Sequence, residues 1–68
     1  MSDYRVSKVA VAQHKTVEER KFDSKEDAEH YAKNQSVTDT AHSYEIQRNH
    51  SGEFKTIKAY QAGQVVGE

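Results

Sequence analysis

The stretch that decides the fold runs from Tyr44 to Tyr60 and reads YEIQRNHSGEFKTIKAY. Tyr44 and Ile46 alternate with polar residues, which is the period-two pattern of a half-buried strand. Residues 49–52, NHSG, favour a tight turn because these residue types tolerate left-handed backbone geometry. Phe54 begins the return strand, and since Phe54 and Ile57 differ in parity, a β-bulge or strand end is predicted near residues 55–56. Residues 43–60 are therefore predicted to form a β-hairpin.

A second pair of strands is predicted over residues 4–22. Tyr4 and Val6 share one parity whereas Val9 and Val11 share the other. One flat strand cannot bury both sets, so a bulge is predicted near residues 7–8. Residues 13–15 are the best break, and residues 16–22 return as the second strand. Pairing centred on this break would place Val11 opposite Val17.

Residues 24–35 are predicted to form a helix. Ala28, Tyr31, Ala32 and Gln35 recur at i, i+3, i+4 and i+7, which defines one face. Ser24, followed three residues later by an aspartate, is typical of an N-cap with a capping box. The carboxylates crowded at residues 23–29 then lie at the positive end of the helix dipole, which indicates a helix start and not a metal or acid–base site. Residues 36–43 are predicted to be a loop.

Composition supports an α+β fold with more sheet than helix. The chain has no Leu, Trp, Pro or Cys, and its large apolar residues are mostly Val, Ile, Phe and Tyr, which favour strands. We predict the order ββαββ, with a four-stranded, mostly antiparallel sheet and one helix packed on one face. Residues 1–68 are expected to form a single small domain, with residues 61–68 as a loosely ordered tail. So small a core leaves a homodimer open as a possibility.

Reactive chemistry is sparse in this sequence. Without cysteine there is no thiolate nucleophile or thiolate metal ligand, and the four histidines match no zinc-binding spacing. Three scattered glycines form no phosphate-binding loop. Glu26 and His30 lie four residues apart, which is typical of a solvent-facing helix pair. We therefore predict no catalytic site, no metal site and no cofactor, and expect the protein not to be an enzyme.

Charge is unevenly distributed although the formal net charge is only −1. Residues 4–22 and 44–60 together hold eight basic and four acidic side chains, whereas residues 23–39 hold two basic and five acidic ones. The sheet is thus modestly basic, and it meets either phosphate, an acidic protein surface or only solvent. The candidate partner-binding residues are the basic and aromatic ones on or beside the strands: Arg5, Lys8, Lys15, Arg20, Lys21, Arg48, Lys55 and Tyr60.

Several local features resemble small phage and mobile-element proteins, including some anti-CRISPR proteins of the type I-F class. They are the Tyr4-Arg5-Val6 start, a helix led by Ser24 with alanines on one face, the strand Tyr44-Glu45-Ile46, and a hairpin turn containing Gly52. The resemblance covers most of residues 4–60 at the level of element order. It implies a stoichiometric inhibitor that docks on an effector complex without catalysis, and it assigns no interface residues.

The functional prediction is a small, non-catalytic protein that occupies a surface of a protein or a protein–nucleic-acid complex. Phage anti-defence is its most specific form. The alternatives are a nucleic-acid-binding module that uses the basic side of the sheet, and a structural homodimer. No apolar run approaches the ~20 residues of a membrane span. A cytoplasmic protein without a membrane partner is therefore expected, in a bacterial host if it is phage-encoded.

Overall fold

The computed structural model describes residues 3–67 as a five-stranded antiparallel sheet with one helix on one face. Neighbouring strands in the sheet follow the order β2-β1-β3-β4-β5. Because the helix joins the edge strand β2 to the central strand β3, it crosses the sheet. The elements are β1 (Tyr4–Ala10), β2 (Lys15–Phe22), α1 (Lys25–Thr38), β3 (His42–His50), β4 (Glu53–Gln61) and β5 (Gln64–Gly67).

The predicted ββαββ order is confirmed, but the sheet has five strands where the sequence predicted four. The additional strand, β5, lies within the segment expected to be a loose tail, and it pairs with β4 after the turn at Ala62 and Gly63. Both turn residues have positive φ, 53° and 78°, which is the backbone geometry of a tight type I′ hairpin. Residue 68, the last of that predicted tail, is outside the described residues.

Three bulges adjust the register of the sheet, and each places one extra residue in a strand. They are Val17 in β2, Ile57 in β4 and Val66 in β5. The bulge in β4 falls next to the predicted position. The irregularity between β1 and β2 falls at Lys8/Val9, again close to the prediction, but the extra residue belongs to β2.

The predicted pairing of Val11 with Val17 is wrong because β1 ends before Val11 is reached. Ala10 pairs with Lys15, and residues 11–14 form the connecting turn. The turn closes with His14 at φ 51°. Val9 lies on the sheet face opposite to that of Tyr4 and Val6. Both faces of β1 therefore carry apolar side chains, and the strand contains no bulge residue of its own.

Helix α1 begins as predicted and ends later than predicted. The Ser24 hydroxyl accepts a hydrogen bond from the backbone N–H of Asp27 at 3.4 Å, which confirms the N-cap. The helix continues through residues 36–38, which were expected to be loop, because Ser36 lies in the interface with the sheet. The Ser36 hydroxyl donates to the Lys33 carbonyl and accepts from the Gly63 N–H at 3.1 Å.

The core lies between α1 and the sheet. Its buried apolar residues are Val6, Ala28, Ala32, Tyr44, Ile46 and Tyr60. The helix contributes the row Ala28, Ala32 and Ser36, at intervals of four, and these small side chains allow its backbone to approach the strands. Gln35, predicted to share the buried face, is exposed. Tyr31 fills the space beside this row, with its ring 5.3 Å from that of Phe22 and 6.4 Å from that of Tyr44.

Candidate binding surfaces

The sheet face opposite the helix, called here the open face, is covered by no other element among residues 3–67. Directly paired residues of antiparallel strands project to the same side. Arg5 pairs with Lys21 in β2 and with Gln47 in β3, and Gln47 pairs with Thr56 in β4. These residues have the parity opposite to the buried Val6 and Ile46, so their side chains lie on the open face.

A row of polar contacts crosses four strands on the open face. The Arg5 Nε–H donates to Gln47 Oε1 at 2.8 Å, and Arg5 forms an ion pair with Glu19 at 3.4 Å. Gln47 Nε2 donates to the Thr56 hydroxyl at 3.3 Å, which in turn donates to Glu45 at 3.2 Å. The side chains of β2, β1, β3 and β4 are therefore connected through one ion pair and three hydrogen bonds. We call these five residues, Glu19, Arg5, Gln47, Thr56 and Glu45, the polar row.

Arg5 also stacks on an aromatic ring. Its guanidinium carbon lies 4.2 Å from the centroid of the Phe54 ring, within cation–π distance. The side chain is held on three sides, by Gln47, Glu19 and Phe54, yet 23% of it remains exposed. A guanidinium carries five N–H donors, and these contacts engage only part of that capacity. Arg5 thus presents oriented donors to whatever covers the open face.

Below the polar row, Ser7 is a buried polar residue with a partner on the neighbouring strand. Its hydroxyl lies 3.2 Å from the hydroxyl of Thr16. Ser7 is only 1% exposed. A buried hydroxyl without a partner would be costly, and this contact satisfies Ser7 within the sheet. Arg5 is then the charged side chain that β1 places on the open face.

The predicted partner-binding residues do not form one surface. By strand register, two of them, Arg5 and Lys21, belong to the open face. The other six have the strand parity of the sheet face on which the helix packs, called here the helix side: Lys8, Lys15, Arg20, Arg48, Lys55 and Tyr60. Tyr60 is buried in the core, and the Arg20 guanidinium lies 5.1 Å from the Tyr31 ring.

Two basic side chains of the helix side are engaged by acidic groups of α1 and its C-cap. Lys58 Nζ donates to Glu29 at 2.8 Å, and this hydrogen bond is the main reason that the pKa of Glu29 lies below its ordinary value. Lys8 Nζ lies 3.4 Å from Asp39. The sequence showed a basic sheet and an acidic helix, and in the fold these charges partly neutralise each other across the helix–sheet interface.

Asp39, the helix C-cap, is the centre of the most connected polar cluster. One carboxylate oxygen lies 2.9 Å from His42 Nδ1, and the other accepts a hydrogen bond from the buried Tyr44 hydroxyl at 2.9 Å. The hydrogen bond with His42, followed by those with Tyr44 and Lys8, lowers the pKa of Asp39 to about 2. Burial, followed by the contact with Asp39, raises the pKa of the Tyr44 phenol. The cluster fastens the end of α1 to β1 and β3.

The part of the chain that the structure describes contains neither an enclosed pocket nor a metal-binding cluster. Residues 3–67 contain no detectable pocket. They also contain no group of three or more His, Cys, Asp or Glu side chains arranged to hold a metal ion. The helix among them is too short and too polar to cross a membrane. The features that remain are surfaces, of which the open face is the most organised.

Comparison with protein-family models, curated proteins and solved structures found no match to this chain. The surfaces of the molecule are therefore the structural evidence that bears on function. Sequence reasoning named Arg5 but not the residues that orient it, Glu19, Gln47 and Phe54. They are separated along the chain and meet only through the strand register. The period-two alternation along each strand could have shown which side chains share a face with Arg5, but the bulges interrupt that alternation.

Proposed function

We propose that this protein is a non-catalytic binding protein that acts by covering a surface of a partner with its open face. The observation that carries the proposal is Arg5, held on Phe54 and within the polar row on a face that no other described element covers. Arginine and aromatic residues are the types that most often dominate the energy of protein interfaces. Because Arg5 is already oriented, less side-chain entropy is lost when it binds.

The charges of the open face favour a protein surface as the partner. Arg5 and Lys21 are balanced there by Glu19 and Glu45, as their register with Ser7 and the polar row indicates. Binding to the phosphate backbone of nucleic acid depends on an excess of basic groups. The balanced face supplies donors and acceptors in alternation, which suits a polar protein surface with complementary groups.

Inhibition of a host defence complex is the narrower form of this proposal. It draws on the resemblance of the element order to small anti-defence proteins of phages. An inhibitor of this type needs only a rigid surface and a stoichiometric partner, since it acts by steric exclusion. The polar row supports this form because it connects four strands of the open face and so favours a rigid surface.

The experiment compares two arginine substitutions in a quantitative pull-down with mass spectrometry. Thr56→Arg places a long charged side chain in the exposed part of the polar row, whereas His30→Arg places the same side chain at an exposed position of α1. Both variants are first compared with the wild type by circular dichroism. We expect a stoichiometric protein partner to be retained by the wild type and His30→Arg and lost by Thr56→Arg.

Two controls make the result decisive. Nuclease treatment of the lysate separates a protein partner from one bridged by nucleic acid, and the captured partner is then titrated in purified form. The proposal is overturned if the purified partner binds Thr56→Arg as tightly as wild type, or if His30→Arg alone abolishes binding. Loss of all captured protein after nuclease treatment would favour the nucleic-acid-binding alternative.

A further inference from the structure

The two edges of the sheet differ in how they are protected from pairing with another chain. At one edge, β2 has the sequence KTVEERKF, with Lys or Glu or Arg at five of its eight positions. Charged side chains along an edge strand are a common device against edge-to-edge association. At the other edge, β5 has the sequence QVVG, with no charged residue. Among residues 3–67, β5 pairs only with β4, so its outer backbone groups face no strand.

Two uncharged segments meet at the β5 edge. Residues 34–38, at the end of α1, and residues 61–67 contain no charged side chain, in a chain of which 31% is charged. The two segments lie together, because the Gly63 N–H donates to the Ser36 hydroxyl at 3.1 Å. The described large apolar residues that are exposed include Val37, Val65 and Val66 here, at 58%, 43% and 57% exposure. We call this surface, residues 34–38 and 61–67, the uncharged edge.

We propose that the uncharged edge binds the same edge of a second copy of this chain, with the two β5 strands antiparallel. Two-fold symmetry makes such a contact self-complementary, since each copy supplies the same residues. It also pairs strands in the antiparallel orientation, which is the one used throughout this sheet. The outer backbone groups of β5 then gain partners, and Val65 and Val66 of both copies are removed from water.

The lack of charged side chains favours a second copy of this chain as the partner of the uncharged edge. A strand from a different protein is selected at an edge largely by complementary side chains, and residues 61–67 offer no charged group for that selection. For two copies, the same lack of charge means that identical side chains approach without repulsion, which is the usual obstacle to self-pairing. The β2 edge carries that obstacle. Because β5 is only four residues long, the contact is small and the dimer is expected to be weak.

This association is independent of the proposed function, because it uses the edge of the sheet and leaves the open face free. A dimer of this form joins two five-stranded sheets edge to edge and places their open faces side by side. Each proposal therefore has its own variants: substitutions at the edge test the dimer, and Thr56→Arg tests partner binding. Failure of one test does not affect the other.

Sedimentation equilibrium of the full chain tests the dimer, with two valine variants as a matched pair. Val66→Lys places a charge on the uncharged edge, whereas Val17→Lys places it at a similarly exposed valine, 51%, on the β2 edge. Samples cover about 10 µM to about 1 mM, since association follows mass action. We expect the average mass of the wild type and Val17→Lys to rise from 7.8 kDa toward twice that value. Val66→Lys should raise the dissociation constant at least about tenfold, because like charges meet across the pair.

A second variant and a second measurement guard against misfolding. Val37→Lys, on the exposed side of α1, should also weaken association, and circular dichroism verifies that all variants keep the wild-type spectrum. Hydrogen exchange of the wild type should slow at residues 64–67 as concentration rises. A monomeric wild type across the whole range overturns the proposal. So does an association that Val66→Lys leaves intact, or one that Val17→Lys disrupts equally.

Discussion

A single methyl group tests the contact between the β4–β5 turn and the end of α1. Gly63 has a φ of +78°, and a Cβ atom at this position would lie 2.8 Å from Cγ2 of Val37. Gly52, in the β3–β4 turn, has a similar φ of +89°, but a Cβ atom there would have no neighbour within 4 Å. The two glycines thus share the same backbone requirement and differ in their surroundings, so Gly52→Ala is a matched control for Gly63→Ala.

The expected magnitudes follow from this comparison. A non-glycine residue in the left-handed region costs about 1–2 kcal/mol, of which about 0.4–1 kcal/mol is offset because alanine restricts the unfolded chain. Gly52→Ala should therefore lower the free energy of unfolding by about 1 kcal/mol. At Gly63 the Val37 side chain must also shift, and displacing it from a staggered position costs about 0.5–1.5 kcal/mol more because β-branched side chains in helices are stiff. Gly63→Ala should therefore cost about 2 kcal/mol in total.

Urea unfolding followed by circular dichroism measures these free energies, at a protein concentration low enough to keep the chain monomeric. A double-mutant cycle with Val37→Ala isolates the steric part. Truncating Val37 should restore about 1 kcal/mol in the Gly63→Ala background and leave the Gly52→Ala penalty unchanged. Equal penalties for the two glycine variants, or no recovery on truncation of Val37, would refute the placement of the turn against α1.

Two further predictions concern the same turn and the helix C-cap. Ala62 has a φ of 53°, a left-handed geometry that asparagine tolerates better than alanine does. Ala62→Asn should therefore raise the free energy of unfolding, measured by urea titration, by about 0.5–1 kcal/mol. A loss of stability would contradict the turn assignment. The pKa of Asp39 is lowered from 3.8 to about 2, so its stabilising contribution is present above pH 3.8 and is lost as the pH falls toward 2. Asp39→Asn should flatten this part of the profile of urea midpoint against pH, and an unchanged profile would show that Asp39 is not the group responsible.

The sequence predicted elements whose signals are local. Alternation around Tyr44 and Ile46, together with the turn at residues 49–52, led to the β3–β4 hairpin, and Ser24 marked the start of α1. The end of α1 could not be predicted in this way. Ser36 is a poor helix former on its own, and it is helical and buried because its hydroxyl contacts the Gly63 N–H of a distant turn. That contact depends on β5.

The strand β5 was missed because its turn uses an unusual residue. A two-residue type I′ turn favours Asn-Gly or Asp-Gly, whereas this chain has Ala62 at the first position. Gly63 followed by Val65 and Val66 was the available signal, since glycine supplies the left-handed residue and valine favours strands. A segment that resembled a tail by composition is therefore a strand that pairs with β4 through a turn at Gly63, and this turn contacts α1 at Ser36 and Val37.

The open face could be predicted only in part, because it depends on which side chains share a face. Arg5 was named from its charge, but its stacking on Phe54 spans three neighbouring strands and has no counterpart along the sequence. Charge counts over whole segments also combine residues of opposite faces. Lys8 and Arg5 lie three positions apart in one strand, yet Lys8 meets Asp39 on the helix side and Arg5 meets Glu19 on the open face.

This sorting of charges changes what a partner of the open face must offer. Lys8 and Lys58 were counted toward a basic sheet, but both form ion pairs with acidic groups of α1 and its C-cap. The open face retains Arg5 and Lys21, which Glu19 and Glu45 balance, so long-range attraction of phosphate has little source there. Affinity at this face must come from short-range hydrogen bonds and from contact with the Arg5–Phe54 pair. Binding of that kind weakens little as salt is added, whereas phosphate binding weakens steeply, so the salt dependence of a captured partner separates the two mechanisms.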